Sequence, residues 1–259
     1  MSKQLSINNL SSGYGRKNIL KNANLVFEAG EFCALLGLNA SGKTTLLKTI
    51  CGLLKPAQGS CLYGDEDFLA RNEKERARIV SYIPQRHSPM YGVSVLDVVM
   101  MGFNASLGFF MSPSPRDKEK ADQMLNRFGL LAYRNTDFSS LSEGQKQMVI
   151  LARTLLQNTP IMLLDEPDSA LDFNNRHSML EKVQSLIREE NKIGLIAIHD
   201  PNFALAYCDR LILLLNGHIT FDLKVANTSI EELTSCLAAI YGDISITQWK
   251  NQYIMMRNL

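Results

Sequence analysis

The stretch Gly37-Leu38-Asn39-Ala40-Ser41-Gly42-Lys43-Thr44 fits the pattern G-x-x-x-x-G-K-[ST], and its chemistry is phosphate binding. Glycines let backbone N–H groups approach phosphate oxygens, and Lys43 adds a point charge. The Thr44 hydroxyl suits Mg²⁺, which takes oxygen ligands. Two carboxylates, Asp165 and Glu166, close the apolar run Ile161-Met162-Leu163-Leu164. Beside a phosphate loop, Asp165 would lie against the shell of the metal, and Glu166 would polarise an attacking water as general base. His199 ends another apolar run, LIAIHD. A histidine at a strand end is more often structural, but a neighbouring strand with carboxylates favours contact with a γ-phosphate. Gln85, in SYIPQ, would bridge Mg²⁺ and the attacking water.

A second anion site is written in LSEGQKQMVILARTLLQ, Leu141 to Gln157. Ser142, then Gly144, then a helix-forming run is how a chain presents free N–H groups to a phosphate. One chain thus carries two phosphate-binding helix starts.

These residues need elements to place them. Leu5 and Ile7 alternate as in a strand, and Asn24–Phe27 reads as another before the turn at Glu28-Ala29-Gly30-Glu31. Phe32–Leu36 is apolar throughout, as in a strand buried on both faces, and leads straight into the phosphate loop. The helix that follows should show Leu46, Leu47, Ile50 and Leu53 on one face, with Gly52 and Pro56 as stops. Ser60–Asp67 reads as a hairpin and Ile79–Ile83 as a strand. From Pro84 to Asn158 the pattern is helical, interrupted by SLGFFMSPSPRD, with Asp117–Phe128 an exposed amphipathic helix. Buried strands return at Ile161–Leu164, Leu195–Ile198 and Leu211–Leu215, with Asn175–Glu190 as the helical crossover between the first two. Asn216-Gly217 signals a hairpin, and the tail from Ser229 reads as a short helix with one or two strands.

With 259 residues and 46% hydrophobic content, the chain can bury one large domain or a core with a subdomain. A net charge of +1 lacks the basic excess of a general nucleic-acid or anionic-membrane binder. Cys33, Cys51, Cys61, Cys208 and Cys236 form no CxxC pair, which predicts reduced, mostly buried thiols in a cytosolic protein. MSKQLSINNL has no signal-peptide core, and apolar runs such as Leu211–Leu215 fall far short of the roughly 20 residues of a membrane span. A soluble protein is expected, reaching any membrane through a partner.

Taken in order, GLNASGKTT, YIPQ, LSEGQ, IMLLDEP, SALD and AIHD resemble the ATP-binding cassette (ABC) ATPases over essentially the full chain. The resemblance implies an α/β fold, with a P-loop (RecA-like) core, an antiparallel β subdomain and a helical insert. Residues 1–86 and 158–225 would form the core with its β subdomain. Residues 87–157 would form the helical subdomain with the signature, and 226–259 a short C-terminal extension. It makes Gln85 the Q-loop glutamine, Asp165 and Glu166 the Walker B pair, Ser169–Asp172 the D-loop and His199 the switch histidine. Tyr14, in SGYGR, becomes the aromatic that stacks on adenine. ATP would be held by Gly37, Asn39, Ala40, Ser41, Gly42, Lys43, Thr44 and Thr45, and Mg²⁺ by Thr44, Gln85 and Asp165. Gln145 and Asp172 would also belong to the nucleotide site, and in a head-to-tail dimer Ser142 and Gly144 of LSEGQ would address the nucleotide of the other cassette.

Three departures stand out: Glu143 and Ala40 replace common glycines, and Asp168 sits where Thr is common. None removes a group the chemistry needs. A single cassette without spans looks like the separate ATPase subunit of a transporter. VSVLDVVMMGFNASLGFF, RDKEKADQMLNRFGL and the tail TSIEELTSCLAAIYGDISI resemble importers of iron–siderophore, haem and cobalamin type; zinc, manganese and molybdate uptake are the alternatives. The chromosome and DNA-repair ATPases that share these motifs separate them by a long coiled coil, which this chain lacks. Expected partners are a second copy or a homologous cassette, multi-span permease subunits and an extracytoplasmic substrate-binding protein, with no nucleic acid. The location implied is the cytoplasmic face of the cell membrane. A permease helix would dock around Pro84–Phe103, where Tyr91, Val93 and Met100 or Met101 would line an apolar groove.

Overall fold

The computed structural model describes residues 3–15, 17–85, 90–107, 111–169 and 171–258. The first part of the chain gives β1 (Leu5–Tyr14), β2 (Lys17–Phe27), β3 (Phe32–Leu36), α1 (Lys43–Ile50), β4 (Gln58–Tyr63), β5 (Glu66–Asp67), α2 (Glu73–Arg76) and β6 (Val80–Ile83). Helices α3 (Val95–Met100), α4 (Pro115–Arg127) and α5 (Glu143–Leu156) follow. Then come β7 (Ile161–Asp165), α6 (Phe173–Glu189), β8 (Ile193–Ala197), α7 (Pro201–Tyr207), β9 (Arg210–Leu215) and β10 (His218–Lys224). The tail is α8 (Ile230–Tyr241), β11 (Ile244–Trp249) and β12 (Gln252–Arg257).

The central sheet has the order β10-β9-β3-β8-β7-β6. All neighbours in it are parallel except β10, which returns from β9 through the Asn216-Gly217 turn. β3, β7 and β8 are buried at every position, which explains their continuous apolar sequences. Alternate residues feed two cores. Cys33, Leu35, Leu163, Leu195 and Ala197 face α1 and the antiparallel sheet β2-β1-β4-β5. Ala34, Leu36, Leu164, Ile196 and Ile198 face the helical insert, α6, α7 and the tail helix α8.

Strand order places the site. β3 has β9 on one side and β8 on the other, and ligands of open α/β sheets bind at such a reversal, beyond the carboxyl ends of the strands. The phosphate loop leaves β3 there, Asp165 ends β7, and His199 lies just past β8.

Several elements differ from the sequence pattern. Leu53, expected on the apolar face of α1, is 68% exposed because the helix stops at Ile50 and the chain turns through Gly52. Among the described residues from Pro84 onward the first helix is α3, which starts at Val95 where Ser94 caps it. α4 starts at Pro115, earlier than Asp117, because Ser114 and Asp117 form a capping box ahead of it. α6 begins at Phe173 because the Asp172 carboxylate caps it through the Asn175 N–H. α7 is too short to show a period; Asp200 and Pro201 fix its start. All five cysteines are free thiols, four buried and Cys51 half-buried. Among the described residues, no helix is long and apolar enough to cross a membrane.

Candidate active site

The phosphate loop is built on backbone that few residues accept. Gly37 has φ +155°, and a Cβ there would come within 2.5 Å of the Leu214 carbonyl oxygen. Gly42, the N-cap of α1, has φ +112°. Ala40 takes the left-handed φ of 62°, so the glycine it replaces would be the less strained residue.

Lys43 is buried, and its ammonium donates to the carbonyl oxygens of Gly37 at 2.8 Å and Leu38 at 3.4 Å. Burial pushes its pKa down, while Glu166 and Asp165 pull it back part of the way. The Ser41 hydroxyl oxygen is buried with no hydrogen-bond partner. Loop residues Asn39 to Thr45, with Tyr14, Ile19 and Glu166, line a cavity of about 280 Å³. Tyr14 is 52% exposed at its rim, a face open to stacking.

Asp165 is buried, and Thr44 Oγ1 donates to its Oδ1 at 2.9 Å. Tyr82 OH donates to Oδ2, also at 2.9 Å. Burial holds the Asp165 carboxyl above the ordinary carboxylate range despite these two donors. Glu166 leaves the strand through a left-handed φ of 50°, while its N–H still donates to Ala197 O at 3.0 Å. Such left-handed conformations cluster at functional sites. His199 Nε2 lies 2.7 Å from Glu166 Oε1, and Gln85 Nε2 donates to Glu166 Oε2 at 2.5 Å. Glu166 is thus held from both sides.

The donor set fits a nucleotide that brings its own cation. Among the described residues, no three His, Cys, Asp or Glu side chains gather as a metal cage. One hydroxyl and one carboxylate are what Mg²⁺ needs from a protein when phosphates and waters supply the rest. The Gln85 amide faces Glu166, so its oxygen is the atom left for a cation.

Ser142, Gly144 and Gln145 do not line the phosphate-loop cavity. Ser142 caps α5: its hydroxyl accepts from the Gln145 N–H at 3.2 Å, and Gln145 Oε1 accepts from the Ser142 N–H at 3.0 Å. This capping box leaves the Gly144 N–H and the Ser142 O–H to meet an anion. Glu143 turns outward, 66% exposed at its side chain, and pairs with Lys146 at 2.7 Å. Asp172 spends its carboxylate on the cap of α6.

One participant escapes the motif reading. Tyr82 sits in β6 before Gln85; its one signal is a hydroxyl in an apolar strand. Asp168 is buried, with Arg176 Nε 3.4 Å from its Oδ2. Burial raises its carboxyl, against the pull of Arg176.

Comparison with known proteins agrees with this geometry. Residues 20–169 match the family model described as ABC transporter. A probable iron chelatin transport ATP-binding protein of Helicobacter pylori is 35% identical over 253 residues, covering 97% of this chain and 98% of the relative. A metal-chelate type ABC transporter in an inward-facing conformation superposes with a TM-score of 0.80 at 28% identity, over 98% of this chain and 96% of that one. A dimeric bacterial ABC transporter cassette does so with a TM-score of 0.77 at 27% identity, over 85% and 98%. The chain belongs to the ABC transporter family, as an ATP-binding protein with an ATPase domain.

Proposed function

We propose that this chain is the ATP-hydrolysing subunit of an importer of iron chelates or haem. One observation carries the enzymatic part: Glu166 stands beside the phosphate loop with His199 on one carboxylate oxygen and Gln85 on the other. In this reading Glu166 takes a proton from the attacking water, and His199 and Gln85 keep its carboxylate aimed. Lys43, Ser41 and the loop N–H groups would bind phosphate, Thr44 and Asp165 would hold Mg²⁺ with the Gln85 amide oxygen, and Tyr14 would stack on adenine. The cation, when bound, neutralises charge on the phosphate oxygens.

The chain divides as the resemblance implies, into a core (1–86 and 158–225), a helical subdomain (87–157) and an extension (226–259). A second copy completes the site. In its favour, the cavity beside the loop, about 280 Å³, is lined only by phosphate-loop residues with Tyr14, Ile19 and Glu166. Ser142 and Gly144 also lie outside it, with donors left over. The dimeric cassette supplies a precedent.

Docking to a permease at the cytoplasmic face suits a hollow of about 1120 Å³ between the insert and the core, lined by Phe103, Met124, Leu155, Arg78, Lys120 and Arg127 among others. Of the residues expected to form an apolar groove, Val93 and Met100 instead pack against the core. Tyr91 and Met101 are exposed. Part of the expected segment, residues 86–89, lies outside the described residues.

An iron-chelate substrate is favoured because the iron chelatin relative and the metal-chelate transporter match the chain over nearly its whole length, tail included. Such an importer also requires an extracytoplasmic binding protein. The test is uptake: cells carrying Glu166→Gln should lose iron-chelate or haem import and keep manganese import. The chain should copurify with a multi-span permease. Intact chelate uptake beside failed manganese uptake rejects the substrate reading, and purification with nucleic acid instead of a permease rejects the transport reading.

A further inference from the structure

The loop, the carboxylates and the histidine leave one close contact of the site without a role. Tyr82 pairs with Leu163 in the parallel register of β6 and β7, so Tyr82, Leu163 and Asp165 stand on one face of the sheet. That face is covered by α1, whose first turn carries Thr44. The tyrosine is long enough to reach along the strand to the next side chain, and its hydroxyl meets Asp165 Oδ2 at 2.9 Å. From α1, Thr44 meets Oδ1 at the same distance. The carboxylate is thus gripped by two hydroxyls, one from each neighbouring element.

We infer that Tyr82 is a positioning residue for the metal site, fixing the rotation of Asp165 through Oδ2 so that Oδ1 stays turned toward Thr44 and the cation that arrives with the nucleotide. The two grips are not equivalent. Thr44 has two duties, an oxygen lone pair for the cation and its O–H on Oδ1, whereas the Tyr82 hydroxyl serves the carboxylate alone. Groups that orient a metal-binding carboxylate tune affinity without touching the metal. A tyrosine that merely satisfied its own buried hydroxyl would have no influence on the metal.

The inference rests on Asp165 being the metal carboxylate, and one experiment separates the two. Equilibrium binding of a fluorescent ATP analogue to the full chain is measured in EDTA and across a MgCl₂ titration. Tyr82→Phe keeps the ring in the apolar face and removes only the hydroxyl. It should leave affinity in EDTA unchanged and raise the half-saturating Mg²⁺ concentration about tenfold. Asp165→Asn should raise it as well, and adding Tyr82→Phe to Asp165→Asn should cost little more, because the group being positioned is gone. An unchanged Mg²⁺ dependence in Tyr82→Phe, beside a raised one in Asp165→Asn, overturns the role of Tyr82 and leaves that of Asp165 intact. An unchanged dependence in both overturns the metal reading and this inference with it. Equal loss in EDTA and in Mg²⁺ marks Tyr82 as structural only, which also overturns it.

Discussion

His199 Nε2 stands 2.7 Å from Glu166 Oε1, joining the ends of two adjacent parallel strands. The register pairs Asp165 with Ala197, so the residues that follow each strand emerge at one level. The contact is set by the sheet, and the chemistry at Glu166 inherits its precision.

Glu166→Gln keeps the size of the side chain and removes the base. Turnover at saturating Mg-ATP should fall by ~10²–10⁴-fold while nucleotide binding persists, and a nucleotide-bound dimer should accumulate on gel filtration. Lys43→Ala should instead weaken ATP binding itself. Near-normal hydrolysis by Glu166→Gln removes the assignment.

Asp165 gives a pH signature in the nucleotide-free, metal-free protein. Burial raises its carboxyl, so the folded chain releases this proton less readily than the unfolded one. Its contribution to stability is therefore complete below the unfolded value of about 3.9 and declines as pH rises through the folded value. Asp165→Asn abolishes the decline. The variant should melt higher than the parent near neutrality, with the gap closing toward about pH 4. A gap of the opposite sign at neutral pH contradicts the argument.

Ala40 holds a left-handed φ of 62° that glycine accepts without a Cβ penalty. Relief of about 1–2 kcal/mol of strain should outweigh the entropy glycine adds to the unfolded chain, about 0.4–1 kcal/mol. Ala40→Gly should therefore raise the melting temperature by up to ~4 °C in a calorimetric scan. A lower melting temperature would show the loop tolerates the alanine at no cost.

Whether LSEGQ acts across a dimer is tested by mixing defects. Lys43→Ala disables one phosphate loop, and Ser142→Arg fills the other chain's signature. In a mixed dimer both defects fall in one composite site, and the other site is whole. With Glu166→Gln in both chains and the permease present to hold them close, the mixture should recover Mg-ATP-dependent trapping that neither parent shows. Verified mixed dimers that trap no better than the parents exclude the trans role of Ser142.

What the sequence determined by itself is whatever is coded by neighbours in the chain. The phosphate loop is contiguous from Gly37 to Thr44, and its glycines are required by local backbone geometry. Phe32–Leu36 emerged with its bounds unchanged, because a strand buried on both faces leaves an unbroken apolar signal. The carboxylates were legible as the end of one such run. Contacts between distant strands were another matter. Tyr82 and Asp165 are 83 residues apart, and Gln85 and Glu166 are 81 apart. Nothing local in either segment records which strand will lie beside which, or in what register. The exposed Leu53 and the capped start of α6 show the same limit at helix ends, where a turn or a cap outweighs the apolar period. Pairing in the β10-β9-β3-β8-β7-β6 sheet is settled only when both faces find their cores, and that packing turns a strand-end glutamate into one held between a histidine and a glutamine.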